Sequence, residues 1–600
     1  MSKFSEQVNI TIEGFTQNVI YYNLELSQKM ADHHHFSFFW QYTGKPIIAP
    51  QDQEKAISSY IGSEVIFTFK VKGIRVMSKG RIIKLGSIDK NGSPAGLHVT
   101  GISHTIALDD MPKSRIFREK SLQQIGLEIF AEESSGEFYQ REAIAPTYTK
   151  EFSFKTQYNE TSFDFLKRLS ARYAQWFYFD GMRMQFGQIK NTDIKLINES
   201  SLHNFSIEAS LVSHKTSFSS YDYNSASRIK NGAEKTSEGS QDRFASLAVF
   251  KQPYIVRPGL ENGAYTSNAQ NKEEIDEMVK MQTAARDANS IFYSGTSYLP
   301  IGLGQTFSIE NKNVEHHLLA IEITHRSEVN GNYTCQFKAI PADVAAPHYT
   351  DVNVFATAES QPAIVIDNND PEKMGRIKVD FFWNGWTSKS DWMRVVQPYS
   401  GSGKGLYFRP EIGEEVQVSF EGGNAECPYV SGTYYNGKEM PDFFDAENRI
   451  KGWKLPFGQL FKFIEKVGIW LSDPSGNEFH MNEETKSINV TSPETITIRA
   501  KNIVFEASES ITVKAGTDID MSAGNNMTQE AGNDIFINAE GTILERSDNR
   551  TELVEKDFSR TSDISNEIAS EVSLYSNEEN MTIQSGKQVH INSAEKSNLF

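Results

Sequence analysis

Two short stretches of the sequence combine residue types that could bind a ligand or a metal. The segment Ser400–Gly405, SGSGKG, suggests a phosphate-binding loop, which needs a further glycine at position 398 and a Ser or Thr after the lysine. Pro398 and Gly405 occupy those two positions, so we predict a β-loop instead. In Asp32–Phe36, DHHHF, adjacent histidines on a strand would point to opposite faces, which is a poor arrangement for a tetrahedral metal site.

Catalytic motifs are not evident elsewhere in the sequence. It contains no HExxH, no CxxC and no nucleophile elbow. Acidic pairs such as Glu414–Glu415 suggest a glycosidase, but an acidic chain of 600 residues contains many such pairs. We therefore predict no catalytic residue, no metal ligand and no cofactor.

The segment Ile511–Thr542 repeats one pattern every eight residues, four times in succession. Positions 1, 3 and 5 of each octad are mostly apolar, as in Ile511, Val513 and Ala515, and Gly or Asn residues usually follow. Alternation with a period of two is typical of a strand with one buried face, while Gly and Asn favour tight turns. Each octad is therefore predicted to be a strand of about five residues followed by a corner.

The apolar face of these strands needs stacked partners to cover it. Three octads could form one coil of a single-chain solenoid, or three chains could each supply one side of a triangular prism. Every octad looks alike and no corner carries an insertion, which favours the three-chain prism. We call this prism the needle. The residues predicted to form its core are Ile496, Ile498, Ile511, Val513, Ile519, Met521, Met527, Ile535 and Ile537.

After Asn549 the repeat becomes irregular and strongly charged. Some apolar residues there are spaced partly as in a helix, and the octad resumes near residue 581. The sequence leaves open whether this part is needle with a polar filling or a short helical collar. The helix-like residues are Phe558, Ile564, Ile568 and Val572, and the later octads contain Met581, Ile583, Val589 and Ile591.

The net charge of −18 argues against a nucleic-acid-binding protein. Residues 481–600 hold 21 Asp and Glu but 10 Lys and Arg, and so contribute −11 of that charge. Two cysteines, Cys335 and Cys427, are too few for a disulfide framework, which fits reducing, cytosolic conditions. No signal peptide or membrane-spanning stretch is evident.

A small all-β domain is predicted ahead of the repeat. Alternating runs at Arg376–Phe382, Trp392–Gln397 and Glu415–Phe420 are separated by Gly, Asn and Pro turns, as in a five-stranded OB barrel. Further upstream, Asn271 is predicted to cap a helix with Glu274 three residues later. That helix has a mixed face made by Ile275, Met278, Val279 and Gln282.

Several motifs occur in a specific order along the chain. Gln157–Glu160 precedes a helix with Phe165, Leu166, Leu169 and Tyr173 on one face and then a strand ending at Phe179. The OB motifs are Met374–Val379, Trp383, Trp392–Val395, Pro410–Val416, Pro428–Gly432 and Tyr435–Asn436, and Asp473–Glu494 follows them. In this order they resemble the VgrG family, the spike proteins of type VI secretion systems, and related spikes of contractile phage tails.

The resemblance implies a mainly β fold with some α and an ordered set of domains. These are a phage-hub-like domain of two β-barrel-like subdomains with inserted helices at 1–360, an OB domain at 361–440, a neck at 441–487 and the trimeric β-helix needle at 488–600. It also implies a homotrimer at the tip of a contractile tube, which punctures the target envelope. The expected partners are a hexameric Hcp-type tube protein and baseplate at the hub, a PAAR-type tip protein near Leu599 and Phe600, and effectors or adaptors.

Structural roles are expected for the OB motif residues. Gly375, Gly413 and Gly432 would permit turns, and Trp383 and Trp392 would lie in the barrel core or at a trimer seam. Arg394 and Glu415 would either pair or remain solvated. The predicted motif set is Gly375, Arg376, Trp383, Trp392, Arg394, Gly413, Glu415, Gly432 and Asn436.

Three rival functions remain open. The nearest is the hub-spike of an extracellular contractile particle or a phage tail. A glycan-hydrolysing enzyme is disfavoured, because residues 437–486 are too few for a lysozyme domain and no effector domain follows the needle. A trimeric surface adhesin is disfavoured because no signal peptide or anchor is visible, so we expect a protein assembled in the cytoplasm and then secreted by the machine.

Overall fold

The computed structural model describes residues 6–595, except 43–48, 91–92, 133–137, 213–214, 231–234, 237–239, 241, 249–263, 270, 329–331 and 384–387. The contacts divide the chain into two units, Met1–Thr491 and Ser492–Phe600. Most regular structure in the described residues is β-strand, which confirms the predicted fold class. None of the described helices is both long and apolar enough to cross a membrane.

The hub region of the first unit consists mainly of antiparallel strands. They are β1 (Glu6–Ile12), β2 (Tyr21–Lys29), β3 (His35–Trp40), β4 (Glu64–Val71), β5 (Ile74–Lys90), β6 (Ser93–Ser103), β7 (Lys113–Phe117), β8 (Lys120–Ser121), β9 (Tyr139–Ile144), β10 (Glu151–Phe152), β11 (Lys155–Glu160), β12 (Phe177–Phe179), β13 (Met184–Phe186), β14 (Lys190–Ile197), β15 (Leu202–Ala209), β16 (Lys215–Thr216), β17 (Phe218–Asp222), β18 (Ser227–Lys230), β19 (Lys235–Thr236), β20 (Ala264–Tyr265), β21 (Ile291–Ser297), β22 (Gln305–Asn311), β23 (Val314–Ser327) and β24 (Tyr333–Pro341).

Among the described residues, twelve of these strands pair into one sheet in the order β1-β4-β5-β6-β3-β2-β23-β24-β21-β15, with β22 on β23 and β14 on β22. The β2–β23 ladder joins the N-terminal strands to those that follow residue 290. In β4, Val65, Phe67 and Phe69 are buried and alternate with more exposed residues. Strict alternation places one face of the strand on the core.

The helices of the hub are inserted between its strands. α3 begins after Thr161, whose side chain accepts a hydrogen bond from the Asp164 N–H, and it buries Phe165 and Leu169 on the predicted face. α5 is capped by Asn271, which accepts from the Glu274 N–H, so the predicted cap is confirmed. The described helices are α1 (Pro50–Tyr60), α2 (Leu122–Ala131), α3 (Ser162–Arg172), α4 (Ala245–Ala248) and α5 (Lys272–Ala288).

A barrel follows the hub, and its strands are β25 (Gln361–Asp367), β26 (Lys378–Phe381), β27 (Ser400–Gly401), β28 (Lys404–Gly405), β29 (Glu415–Phe420) and β30 (Pro428–Thr433). Four of them pair in the order β26-β25-β29-β30. Residues 392–397 contribute only two bridges, Met393 to Ile377 and Val395 to Val430, which link the two ends of that order. The predicted run Glu415–Phe420 is β29, and β27 pairs with β28 as the predicted β-loop.

An antiparallel meander follows the barrel, where the sequence predicts a neck, and completes the first unit. Its strands are β31 (Ile450–Lys454), β32 (Leu460–Ile464), β33 (Gly468–Ser472), β34 (Glu478–Asn482) and β35 (Ser487–Thr491), each paired with the next. The indole of Trp470 on β33 stacks on the His480 imidazole of β34, with ring centroids 4.1 Å apart. Cross-strand aromatic contacts of this kind stabilise a narrow sheet.

The second unit has no helix and no paired strand in residues 492–595. Its backbone instead bends at intervals of about eight residues. The bends lie at 493–494, 501, 508–509, 516–517, 524–525, 532–533, 540–541, 548, 555–556, 563, 570, 577–579, 586–587 and 594–595. The bends agree with the corners predicted for the octads and continue through the region that the sequence left open.

Candidate functional site: the exposed repeat and the hub–OB junction

The repeat in the second unit exposes every residue from 493 to 595. Its apolar side chains still fall into two classes. From Ile496 to Ile543, side chains at the predicted inward positions are 47–73% exposed, whereas those of Val504, Phe536 and Leu544, at outward positions, are 81–89% exposed. The predicted core residues therefore share one face, and no other residue of the described part of the second unit covers it.

The predicted binding site for a tip protein consists of the last two residues of the chain. Leu599 and Phe600 lie outside the described residues. The last bend that is described, at residues 594–595, precedes them.

Arg376 of the OB motif forms a buried ion pair with Asp370. Its Nη2 donates to Asp370 Oδ1 at 2.8 Å, and its Nε donates to Oδ2 at 3.1 Å. Burial would raise the pKa of Asp370, but hydrogen bonds from Arg376 and from the backbone outweigh it and lower that pKa to about 2. This two-point contact fixes the loop that leads into β26.

Trp383 lies where the OB core meets the hub. Its ring stacks on Phe381, with centroids 4.5 Å apart, and Tyr158 of the hub lies at 5.8 Å. Its Nε1 donates to Gln361 Oε1 at 2.7 Å. Trp392 is half-buried instead, with Lys378 Nζ 4.7 Å from its ring centroid.

Of the two alternatives left open for Arg394 and Glu415, a pair with each other does not form. Arg394 forms an ion pair with Glu421, and its guanidinium lies 4.7 Å from the ring centroid of Tyr223 in the hub. Glu415 instead accepts a hydrogen bond from Asn436 Nδ2 at 3.1 Å. The two carboxylates lie at opposite ends of β29, because Glu415 is its first residue and Glu421 directly follows its last. Arg394 contacts the second of them.

The three motif glycines do not share one role. Gly375 and Gly413 have φ of +75° and +98°, a region that favours glycine, as expected for turns. The predicted turn at Gly432 is wrong, because this residue lies within β30 and pairs with Gln417. A register shift directly follows that pair, so Gly432 stands beside a β-bulge.

Four charged residues form a buried cluster at the hub–OB junction. Glu426 of the OB domain contacts Lys155 Nζ and lies 3.4 Å from Arg168 Nη1. Arg168 also binds Glu160 at 2.6 Å and donates to the Thr156 carbonyl at 2.8 Å. Burial would raise the pKa of Glu426, but the positive charges of Lys155 and Arg168 hold it below its ordinary value.

Sequence reasoning missed this cluster, although it found Glu160 through the Gln157–Glu160 motif. The available signal was a glutamate beside apolar residues in the segment Ala425–Val430. A buried carboxylate requires cationic partners, but nothing near Glu426 in sequence supplies them.

The consecutive histidines occupy three environments. His33 contacts Asp109 Oδ2 and Thr105 Oγ1, both at 2.6 Å, while His35 is exposed. Burial lowers the pKa of His34 to about 3. Among the residues that the structure describes, no group of three or more His, Cys, Asp or Glu is arranged to hold a metal ion.

Comparisons with known proteins agree with the order of these domains. The model of the phage tail baseplate hub (GPD) family matches residues 105–331. The model of the type VI secretion system/phage-baseplate injector OB domain matches residues 361–435. The first match covers the hub from residue 105 onwards, and the second covers the barrel described above.

Curated relatives include two spike proteins of Pseudomonas aeruginosa. The type VI secretion system spike protein VgrG1c is 23% identical over 372 residues, which are 54% of this chain and 48% of that protein. VgrG1a is 23% identical over 407 residues, which are 61% of each. The chain therefore spans between about half and three fifths of the length of these relatives.

Solved structures support the fold at low sequence identity. A chain of the lidded Francisella PdpA–VgrG complex gives a TM-score of 0.53 at 10% identity, over 82% of this chain and 80% of that one. A chain of the lidless PdpA–VgrG complex gives 0.52 at 9% identity, over 82% and 98%. The matches to a baseplate hub and an injector OB domain, in this order, and the similarity to type VI spike proteins show that this chain resembles the VgrG family.

Proposed function

We propose that this chain is the structural spike of a contractile injection machine, a homotrimer at the tip of the tube that punctures the target envelope. The observation that carries the proposal is the exposed, unpaired apolar stripe of residues 492–595. Two further copies of the chain would cover the stripe and pair its backbone as a triangular β-prism. Full burial of one Ile or Val side chain is worth about 1.5–3 kcal/mol, and every octad of Ile511–Thr542 supplies at least one apolar side chain in each chain.

A closed prism suits mechanical work. Its strands would be joined by backbone hydrogen bonds, and closure would leave no free strand edge along its length. The cluster of Glu426 with Lys155 and Arg168 would hold the OB domain on the hub under load, because separating buried charges is costly.

The partners follow from the spike function. A hexameric Hcp-type tube protein and the baseplate would bind the hub, and a PAAR-type tip protein would bind near Leu599 and Phe600. Effectors or adaptors would ride on the needle. The chain would be assembled in the cytoplasm, secreted by the machine and act without enzymatic chemistry or a cofactor.

A matched pair of substitutions in the repeat tests this proposal. Ile519 is at an inward position and Asp520 is next to it at an outward position. Ile519→Lys should abolish the trimer in native mass spectrometry and stop release of the tube protein from cells that carry only this copy. Asp520→Lys, which places the same side chain one residue away, should preserve both. Equal behaviour of the two variants would contradict the proposal.

A second candidate is the hub-spike of an extracellular contractile particle or a phage tail. The match of residues 105–331 to the phage tail baseplate hub favours it. Purification of the tagged chain with its partners separates the two. Intact sheathed particles in the culture medium would indicate the second candidate, and an assembly anchored in the cell envelope would indicate type VI secretion.

A further inference from the structure

Residues 543–569 differ from the rest of the repeat at their inward positions. The backbone keeps bending at 548, 555–556, 563 and 570, and no helix forms there. The spacing of bends shortens from eight to seven residues in places, so the inward positions have to be assigned from the exposure of individual side chains.

Exposure assigns the two faces of this section. Val554 and Phe558, at 52% and 65%, fall in the range of inward residues, whereas Leu553 and Ile568, at 91% and 97%, are outward. Two of the helix-like apolar residues, Ile564 and Ile568, thus point away from the face that Phe558 occupies. Alternation from these anchors places five charged residues inward. They are Glu545, Arg550, Glu552, Arg560 and Glu567.

Three of these residues already contact one another within one chain. The Arg550 guanidinium reaches the Glu545 carboxylate through Nη1 and the Glu552 carboxylate through Nη2. The contact between Arg550 and Glu545 crosses the bend at residue 548, so it links two successive octads. The inward face here is ionic and complementary, whereas the octads of Ile511–Thr542 are almost wholly apolar on that face.

We infer that this ionic section, defined as Glu545, Arg550 and Glu552, fixes the register of the three chains against one another. The inference rests on the trimer proposed above. The occupant of the face is therefore two further copies of this chain, whose ionic sections would meet at one level.

The need for such a device follows from the repeat itself. If one chain slipped by one octad, Ile511 would stand at the level of Ile519, and Ile519 at that of Met527, so the apolar part would oppose the slip weakly. In the ionic section the same slip would bring Arg550 to the level of Ile543 or Phe558. Glu545 and Glu552 belong to the same chain as Arg550 and would move with it, so the slip would bury the whole charged section of one chain against apolar levels of the other two. A polar core residue that sets register is the best-attested use of such groups.

The test uses the whole chain and places a thiol at the axis of the proposed trimer. Met521→Cys should bring three identical thiols to one level, so oxidation should join two chains of each trimer. Cys335 and Cys427 are buried, and the chain with native Met521 controls for them. In this background, Glu545→Gln, Arg550→Met and Glu552→Gln together should lower the disulfide yield to about a third, because in-register and two slipped pairings become similar in energy.

A matched triple variant removes the same charges outside the axis. Arg546→Met, Asp548→Asn and Glu555→Gln should leave the yield unchanged. Exchange of the two charges, Arg550→Glu with Glu552→Arg, keeps an ionic core and should restore the yield. Equal yields in the neutralised chain and in the unsubstituted background would overturn the register role. A Met521→Cys background that is not a trimer by native mass would instead overturn the proposed spike.

Discussion

The two units of this chain use the same local sequence pattern and reach opposite states. Phe67 in strand β4 alternates with polar neighbours and is fully buried. Phe505 in the repeat alternates in the same way and is 73% exposed. The difference is therefore in what covers the apolar face: the first unit supplies the cover itself, and the described residues of the second unit do not. The apolar face of a strand is fully buried within a single chain only where another element of the same chain packs against it.

The largest expected effect comes from truncating an apolar side chain of the repeat, and a matched substitution in the first unit serves as the comparison. Ile519→Ala is repeated in all three chains, so it should destabilise the trimer by roughly 6–15 kcal/mol in total, at about 2–5 kcal/mol per site. Thermal melts at several protein concentrations should show a lower midpoint that depends on concentration.

Ile377→Ala, in the buried OB core, is the counterpart in the first unit. It should cost about 2–5 kcal/mol and shift the melt of that unit independently of concentration. A concentration-independent effect of Ile519→Ala would remove the distinction between the two units.

The sequence predicted features whose causes are local. The Asn271 cap, strand β29 and the octad bends each depend on residues within about one turn or one strand, where propensity and alternation act directly. The same alternation could not separate a prism from a solenoid, because both bury the same face.

The features that the sequence missed depend on distant partners. Glu426 meets Lys155 across 271 residues, and no periodic pattern encodes that contact. The pairing of Arg394 with Glu421, which the sequence did not predict, has the same origin, because only the folded barrel brings Arg394 beside the residue that follows β29. The ionic section of the repeat was unclear for a different reason, namely that its bends alternate between seven- and eight-residue steps.

Loss of the Glu426 charge is the next largest effect. Glu426→Gln leaves Lys155 and Arg168 buried with one carboxylate fewer and should cost about 3–5 kcal/mol. Hydrogen exchange should accelerate at the amides of β11 and β30, on both sides of the junction.

Glu421→Gln is the matched control, since its pair with Arg394 is exposed and is worth about 0–1 kcal/mol. Similar exchange rates in the two variants would show that the junction does not depend on the buried cluster.

Acid should weaken the first unit through Asp370. Its pKa is lowered from 3.8 to about 2 in the folded state, so its contribution is present above about pH 4 and is lost as pH falls towards 2. Unfolding of Asp370→Asn should depend less on pH in that window than unfolding of the unsubstituted chain. Identical pH profiles of the two proteins would show that Asp370 does not contribute to the acid sensitivity of the first unit.

The smallest effect expected concerns the motif glycines. Gly413→Ala must adopt a φ of +98° and should cost about 1–2 kcal/mol, although an added Cβ would meet no atom within 4 Å. Gly432→Ala has equally open surroundings and lies in a strand, so its cost should stay below about 0.5 kcal/mol. Chemical unfolding of the two variants measures the difference, and a larger cost at Gly432 would reverse the roles assigned here.

The central claim is that the second unit is completed by two more copies of the chain. The most direct test is the native mass of the unsubstituted protein, measured by light scattering or native mass spectrometry across a range of concentrations. The chain mass is 67.7 kDa, so the account predicts a species of about 203 kDa, three times that value. A monomer of 67.7 kDa with residues 492–595 protected from hydrogen exchange would contradict it, because the repeat would then be covered by its own chain.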